Sequence, residues 1–352
     1  MSGNTIHYFA RGNTAKGLHS LLESNIQGIK QVFLIDGGTP AERAACLKLL
    51  ADRLIEENTA AELLHCPGNP EQLEGIIAAE KQSAILLNQF APSVSGPAVH
   101  YVKIPGKATV PAEKEQELLQ LAEQAEIARQ NAYACFQKAL AVHDEWEDIY
   151  IQRLNRKRAN ELAGEWIARL IPQASQNKAG KVKHRFLGAA TPEGAVDFVG
   201  NLTDGLEKRY FIKGRAGTGK STMLKKIAAA AEEQGYEVEV YHCGFDPASL
   251  DMVIVRELGF AIFDSTAPHE YFPEKATDSV IDLYEEIVAE GTDEKFAAEI
   301  QEIAGRYRLF MNKGTGYLAE SKRCKEKMQA CYTGLADQQT LMRVCEEIFA
   351  RL

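Results

Sequence analysis

Residues 214–221 form the stretch that most constrains how this chain folds. They read Gly214-Arg215-Ala216-Gly217-Thr218-Gly219-Lys220-Ser221, which has the spacing G-x-x-x-x-G-K-[ST]. The apolar run Tyr210-Phe211-Ile212 before them predicts a strand, and residues 222–231 after them predict a helix. Glycines let a backbone turn tightly enough for its N–H groups, together with a helix N-terminus, to bind phosphate oxygens. The stretch therefore predicts a strand–loop–helix unit that binds a phosphate group.

The side chains of this loop have distinct predicted roles. Residues 214–222, from Gly214 to Thr222, are the expected phosphate-binding residues. Lys220 is expected to reach the β- and γ-phosphates of a nucleotide and to be catalytic, and the Ser221 hydroxyl is expected to hold Mg²⁺. The predicted ligands are accordingly ATP and Mg²⁺.

Composition excludes several classes of protein. The chain has 352 residues, a net charge of −9 and 45% hydrophobic residues, so it is expected to be globular and large enough for two domains. A negative charge argues against broad, sequence-independent nucleic-acid binding, which needs a basic face. Seven scattered cysteines and a start without a secretory leader predict reduced thiols in the cytoplasm. No apolar run reaches membrane-spanning length, so no membrane partner is expected.

The sequence contains an internal repeat. A shift of 177 positions aligns the chain with itself, without a gap, from Ile6 to about Leu86. The matched pairs are His7 with His184, Phe9 with Phe186, Thr14 with Thr191, Gly37 with Gly214, Leu47 with Leu224, His65-Cys66 with His242-Cys243, and Pro70 with Pro247. This regularity predicts two tandem copies of one domain.

Each copy has the same predicted plan. Alternating strands and helices indicate an α/β fold, with a mostly parallel sheet covered by helices. In each copy the opening strand is expected to lead into a helix capped by Thr14 or Thr191. A helical hairpin or small bundle is expected after each core, and Lys313-Gly314-Thr315-Gly316 predicts a bend within the second one.

The predicted domains divide the chain near residue 182. The first, 1–182, has a core at 1–110, a helical segment at 111–171 and a linker at 172–182. The second, 183–352, has a core at 183–277 and a helical segment at 278–352. Aromatic and leucine stripes in the helical segments favour packing surfaces over a partner-binding groove.

The first copy has a degenerate loop. Pro40 lacks an N–H group, Glu42 replaces Gly219 and brings a carboxylate to the phosphate position, and Ala44 replaces the hydroxyl of Ser221. Arg43 replaces Lys220, and we interpret it as a surface arginine more readily than as a contact to a phosphate in the other copy. The first copy is therefore not expected to bind a nucleotide in the usual way.

The second copy has an acidic residue that the first copy lacks. The apolar run Phe260-Ala261-Ile262-Phe263 ends in Asp264, whereas the first copy has Leu87 at the matching position. A carboxylate at the end of a buried strand can hold Mg²⁺ directly or through water. Because the intact loop and the acid occur in the same copy, Asp264 is a predicted catalytic residue and, with Ser221, a predicted metal ligand.

Other candidates carry weaker predictions. His269 and Glu270 follow the Asp264 strand and could polarise a water or a substrate hydroxyl, or could be a surface pair. Asp246 could lie near an acceptor substrate, while Asp251, matched by Glu74, could equally serve the fold. The pair His242-Cys243 occurs in both copies and lacks further zinc ligands, which favours packing over metal binding. Arg306 and Arg308 could reach a phosphate as a lid or finger, but a solvated helix face is the favoured interpretation.

These residues resemble the P-loop NTPase superfamily, most strongly over 210–231 and also over both cores. More closely, the chain is similar to uncharacterised bacterial tandem P-loop ATPase-like proteins. The runs that carry this likeness are His242-Cys243-Gly244-Phe245-Asp246-Pro247-Ala248-Ser249-Leu250-Asp251, residues 263–269, and His143-Asp144-Glu145-Trp146-Glu147. The resemblance implies nucleotide binding and hydrolysis without an assigned substrate. The first loop departs from the pattern because it lacks both the lysine and the serine.

Three classes of function remain open. The first is a Mg²⁺-dependent ATPase with one working site in the second copy, the second a small-molecule or nucleotide kinase, and the third a nucleotide-sensing protein with little turnover. ATP is expected over GTP only because it is the commoner substrate of such loops; residues 312–315 lack the final Asp of a guanine-specifying N-K-x-D motif. The sequence leaves the acceptor or protein partner and the oligomeric state open.

Overall fold

The computed structural model describes residues 5–106, 108–173, 176–267 and 270–352. The first half contains strands β1 (Ile6–Tyr8), β2 (Arg11–Thr14), β3 (Gly17–Ser20), β4 (Gln31–Gly37), β5 (Glu62–Cys66), β6 (Asn69–Ala78), β7 (Ser83–Leu87) and β8 (Ala98–Ile104). Its helices are α1 (Leu22–Asn25), α2 (Pro40–Glu56), α3 (Ala112–Ile151) and α4 (Arg156–Leu170). These elements form one α/β core followed by a long helical segment.

The second half repeats the order of these elements. Its strands are β9 (Lys181–Phe186), β10 (Gly188–Thr191), β11 (Gly194–Asp197), β12 (Lys208–Lys213), β13 (Glu237–His242), β14 (Leu250–Val255), β15 (Phe260–Asp264) and β16 (Ser279–Asp282). Its helices are α5 (Val199–Leu202), α6 (Lys220–Glu233), α7 (Leu283–Ile287), α8 (Thr292–Lys295), α9 (Ala297–Gln329) and α10 (Gln338–Phe349). Strand β9 begins inside the predicted linker, and β16 lies in a stretch predicted to be helical.

The two halves build sheets of the same topology. The first six-stranded sheet has the order β1-β5-β6-β7-β4-β8, and the second has β9-β13-β14-β15-β12-β16. In each sheet three neighbouring pairs are parallel and two are antiparallel. The prediction of an α/β fold with a mostly parallel sheet is confirmed, in a mixed form. Every antiparallel pair involves β6 or β14, two strands that were not predicted from the sequence.

The predicted helix caps at Thr14 and Thr191 are wrong. Each threonine ends the first strand of a two-stranded antiparallel hairpin, β2–β3 or β10–β11. Both hydroxyls donate across the turn at 2.8 Å, to the carbonyl oxygens of Gly17 and Gly194. Both glycines have a positive φ, +88° and +103°. A threonine followed by such a glycine therefore closes a hairpin here, because the glycine takes the left-handed conformation that the turn needs.

The last helix of each helical segment packs on the core of the other half, and the two long helices pack on each other. Helix α3 lies antiparallel to α9 of the other half: Arg306 bonds to Glu145 near one end, and Ser321 bonds to the carbonyl of Ala125 farther along. Helix α4 joins the apolar core of the second half, and α10 joins that of the first. The expected hairpin within each copy is replaced by an exchange of helices between the halves. Each half therefore completes the core of the other.

The predicted bend at residues 313–316 is also wrong, because α9 continues through it. A Cβ atom built on Gly314 would lie 2.3 Å from the ring of Phe136 on α3, and Phe136 is fully buried. A Cβ atom on Gly316 would have no neighbour within 4 Å. Gly314 is therefore required for the close approach of the two long helices rather than for a turn.

We expect Gly314→Ala and Gly316→Ala to change stability in opposite directions. The first inserts a methyl group against a fully buried ring and should lower the free energy of unfolding by about 1–3 kcal/mol. The second should raise it by about 0.5–1 kcal/mol, because alanine favours a helix more than glycine does. Urea unfolding of both variants checks this, and equal effects would contradict the assigned role of Gly314.

The halves also meet through equivalent residues. Phe186 donates its N–H to the carbonyl of Phe9 at 3.0 Å and accepts in return from Phe9 at 3.5 Å. Beside this contact, the buried Arg185 lies 2.8 Å from Glu62 of the first half and 3.1 Å from Glu239 of the second. Equivalent surfaces of the two halves therefore contact each other, as the two subunits of a two-fold dimer do.

Across the described residues, no helix has the length and apolar character needed to cross a bilayer.

Candidate functional site

The Gly214–Ser221 loop joins β12 to α6 and is braced from within. Gly217 and Gly219 have φ values of +73° and +86°, which favour glycine. A Cβ atom on Gly214 would lie 2.6 Å from the Thr218 hydroxyl, so this position also needs glycine. Thr218 donates that hydroxyl to the carbonyl of Arg215 at 2.8 Å. The predicted strand–loop–helix unit is therefore present, with its glycines where the backbone demands them.

Lys220 and Asp264 lie side by side at the end of this loop. Strands β12 and β15 are parallel neighbours, with Ile212 paired to Asp264, so their carboxyl ends share one edge of the sheet. The Lys220 ammonium lies 3.6 Å from the Asp264 carboxylate and donates to the Arg215 carbonyl at 2.8 Å. Thr266 donates its N–H and hydroxyl groups to Asp264 at 3.0 and 2.6 Å. The topology thus brings together two residues that are 44 positions apart.

Ser221 and Asp264 have the right chemistry for Mg²⁺, which prefers oxygen ligands. The Ser221 hydroxyl oxygen accepts from the Leu250 N–H at 2.9 Å, which leaves it a second lone pair. Both side chains line one cavity of about 950 Å³ together with the whole loop. The oxygen donors therefore fit the predicted ion.

The remaining predicted site residues have more varied surroundings. Glu270 lines the same cavity but forms an exposed ion pair, 3.6 Å from the Lys213 ammonium. Arg215 turns its guanidinium to Asp293 at 2.8 Å and to the face of Tyr284. Ala216 and Thr222 also line the cavity, whereas His269 lies outside the described residues. The loop and Asp264 thus form the most compact part of the predicted set.

Helix α3 of the first half forms a wall of this cavity. A Cβ atom on Gly217 would lie 2.7 Å from the backbone carbonyl of Glu147, so the helix touches the loop directly. His143, Asp144 and Trp146 line the cavity beside Glu147. Burial lowers the pKa of His143, while the carboxylates of Glu147 and Asp144 oppose that shift. The sequence singled out residues 143–147 only for their family likeness, and only the exchange of helices places them here.

In the first half, the side chain of Glu42 occupies the matching loop. Thr39 caps α2 in a reciprocal capping box with Glu42, and the Glu42 carboxylate also accepts from the N–H of Ala336. By contrast, no described side chain caps the N-terminus of α6 at Gly219. Glu42 thus satisfies with its own charge the donors that a phosphate would otherwise meet.

Arg43 is tied to this same loop. Its guanidinium donates to the carbonyls of Gly37 and Gly38 at 3.1 and 2.9 Å. The second contact matches that of Lys220 with Arg215, the residue 177 positions after Gly38. In these contacts Arg43 braces the first loop rather than facing solvent alone.

We expect Glu42→Gln to destabilise the protein in a pH-dependent way. Burial would raise the pKa of Glu42, but its bonds with Thr39 and Ala336 outweigh this and hold the pKa below its ordinary value of 4.5. Its contribution is therefore fully present above pH 4.5 and lost as the pH falls through the lower folded value. At pH 7 the variant should lose about 1–2 kcal/mol of unfolding free energy. The gap to the wild type should narrow as the pH falls below 4.5.

Urea unfolding from pH 7 to pH ~3 measures this effect. The exposed Glu56→Gln, at the other end of α2, is the control and should follow the wild type throughout. A constant gap between wild type and Glu42→Gln would contradict a charge-dependent cap.

The paired histidines occur in both halves with the same geometry. His184 bonds to His242 at 2.8 Å and His7 to His65 at 2.9 Å, through ring nitrogens in each case. His242 also bonds to the carbonyl of Pro247 at 2.7 Å. Burial raises the pKa of the neighbouring thiol, that of Cys243, well above its ordinary value. These contacts favour a packing role over a nucleophilic thiol.

Two further predicted residues have structural partners. Asp246 accepts from the N–H of Ala248 and the hydroxyl of Ser249, and lies 3.3 Å from the ammonium of Lys16 in the first half. Arg306 pairs with Glu145 and Glu302 away from the cavity, as expected for a solvated helix face.

Comparisons with known proteins add no relative: a scan of family models, a search of curated proteins and a search of solved structures each found no match.

Proposed function

We propose that the chain is a Mg²⁺-dependent ATPase of the P-loop class that arose by tandem duplication and retains one nucleotide site, in its second half. The single observation that carries this proposal is the contrast between the two equivalent helix N-termini. That of α6 opens into a cavity with no described side chain capping it, whereas that of α2 is filled by the Glu42 carboxylate. The identical order of strands in the two sheets supports the duplication.

Both the backbone and the side chains of the loop contribute to phosphate binding. Backbone N–H groups from Gly214 to Ser221 surround the phosphates, and the positive end of the α6 dipole adds to their attraction. Lys220 stabilises the negative charge that develops on the transferred phosphoryl group. In the structure the Lys220 ammonium donates a hydrogen bond to the Arg215 carbonyl at 2.8 Å. When a nucleotide binds, this bond breaks and the ammonium donates to phosphate oxygens instead.

Ser221 and Asp264 are the groups that hold the metal. Mg²⁺, when bound, neutralises charge on the β- and γ-phosphates. Water then attacks the γ-phosphorus, the bond from that phosphorus to the bridging oxygen breaks, and ADP, phosphate and a proton result. Glu270, at the edge of the cavity, is the described candidate for orienting that water, once it leaves its ion pair with Lys213.

Calorimetric titration with a non-hydrolysable ATP analogue and Mg²⁺ tests the binding step. We expect one site per chain, because the first loop is occupied by Glu42. Two equal sites, or no binding, would overturn the proposal.

A turnover assay separates the proposed activity from its alternatives. Phosphate release without an added acceptor supports an ATPase. Formation of ADP only in the presence of an acceptor would indicate a kinase, and tight binding without turnover would indicate a sensor.

A further inference from the structure

Three potential metal ligands converge on the wall of the cavity that faces the Gly214–Ser221 loop. His143, Asp144 and Glu147 lie at positions i, i+1 and i+4 of α3, and one ligand atom from each lies within 4.8 Å of the others. The His143 Nδ1 atom is 3.7 Å from a carboxylate oxygen of Glu147. Among the described residues this is the one group of three such side chains that comes together in this way.

The cluster belongs to the first half but faces the cavity of the second. The backbone of Glu147 touches Gly217, which fixes this turn of α3 against the loop. The cavity is bordered by the three ligands as well as by Lys220 and Asp264. An ion held by the cluster would therefore lie in the same chamber as the proposed nucleotide.

The equivalent turn of α9 provides an internal comparison. Gln329 bonds to Thr39 of the first loop, just as Glu147 touches the second loop. Counting back from Gln329 with the spacing of the cluster, Lys325 and Glu326 take the places of His143 and Asp144. Lys325 carries a cation and Gln329 no charge, so this turn cannot bind a metal ion in the same way. Of these two described turns, only the one that lies over the open loop carries the ligand set.

We propose that His143, Asp144 and Glu147 bind a divalent transition-metal ion, at a site separate from the Mg²⁺ position at Ser221 and Asp264. One imidazole and two carboxylates suit Mn²⁺, Fe²⁺ or Zn²⁺ better than Mg²⁺, which prefers a shell of oxygen atoms alone. Atoms bound to one ion at about 2.0–2.2 Å lie about 3–3.5 Å apart. The three ligand atoms, which lie within 4.8 Å of one another here, therefore close on the ion by rotation of their side chains. Asp144 is exposed and free to rotate toward the other two.

Mn²⁺ titration of the metal-free full-length chain, followed by the electron paramagnetic resonance signal of the free ion, tests this site. Mn²⁺ is chosen because the seven free thiols could capture Zn²⁺. We expect one bound ion per chain in the absence of nucleotide. His143→Ala and Glu147→Gln should each weaken its binding by at least about tenfold.

Three further variants complete the experiment. Glu123→Gln, which alters an exposed carboxylate on the same helix, should bind like the wild type, and Asp264→Asn tests whether Mn²⁺ occupies the Mg²⁺ position instead. If His143→Ala proves unfolded by circular dichroism, the exposed Asp144→Asn takes its place and should show the same loss. No Mn²⁺ binding by the wild type, an unchanged affinity in the cluster variants, or a loss confined to Asp264→Asn would overturn the proposal.

The outcome does not depend on the proposed ATPase activity, because no nucleotide is present. Mn²⁺ binding without ATP binding would contradict the proposed function alone. ATP binding without Mn²⁺ binding would contradict the metal site alone.

Discussion

Replacing Lys220 by alanine is expected to abolish ATP turnover, lowering it by at least about a hundredfold. The ammonium lies at the start of α6, 3.6 Å from Asp264 and within the cavity that the loop lines. The other cationic side chain of the loop, that of Arg215, is paired with Asp293. The substitution therefore removes the side-chain charge that would stabilise the transferred phosphoryl group.

Arg43→Ala is the matched control, because Arg43 occupies the corresponding place in the first loop. Its observed contacts are with the carbonyls of Gly37 and Gly38, so we expect little change in turnover. Steady-state phosphate release from both variants and the wild type measures the two effects. Equal losses would show that the first loop takes part in the chemistry, and full activity of Lys220→Ala would refute the proposed site.

Replacing Arg185 by methionine is expected to give the largest loss of stability, about 3–5 kcal/mol. Arg185 is 1% exposed and pairs with Glu62 of the first half and Glu239 of the second. Removing its charge leaves these buried carboxylates facing each other without the shared cation. Glu239 keeps Arg256 at 2.7 Å, whereas Glu62 keeps only the hydroxyl of Tyr8 among its observed polar contacts.

Two variants separate this cause from a general loss of packing. Adding Glu62→Met to Arg185→Met should recover part of the stability, because the buried unpaired charge is then removed as well. Lys183→Met breaks the more exposed pair of Lys183 with Glu237 and should cost less than about 1 kcal/mol. Urea midpoints give all three values. A double variant less stable than Arg185→Met would contradict the explanation.

Part of the fold and of the site follows from short-range pattern. The loop glycines, the strand before them and the helix after them are specified by neighbouring residues, so their prediction needed no long-range information. Asp264 was also predictable, because parallel strands of one sheet bring their carboxyl ends to one edge. Glu42 was predicted to bring a carboxylate to the phosphate position, and the capping box with Thr39 explains how it stays there.

Other errors came from patterns that two structures share. Thr14 and Thr191 have the residue type of a helix cap, but the glycine three positions later made each of them part of a hairpin. Gly314 has the appearance of a helix breaker, yet it serves the contact with Phe136 on a distant helix. The structure at the two threonines depends on the left-handed conformation of a glycine, and that at Gly314 depends on contact with a residue far away in the sequence. Neither can be read from the residue types alone.

The sequence by itself determined the glycine-rich pattern of the Gly214–Ser221 loop, the repeat at a spacing of 177 positions, and the absence of the lysine and the serine from the first loop. Each of these depends on residues that are close together or at a fixed spacing. Only the tertiary structure decided that α4 and α10 pack on the opposite cores and that α3 brings His143 and Glu147 to the second loop. The physical reason is that an amphipathic helix specifies an apolar face but not which of two similar cores will bury it. Because α3 of the first half packs against the second half, residues of both halves line the candidate site.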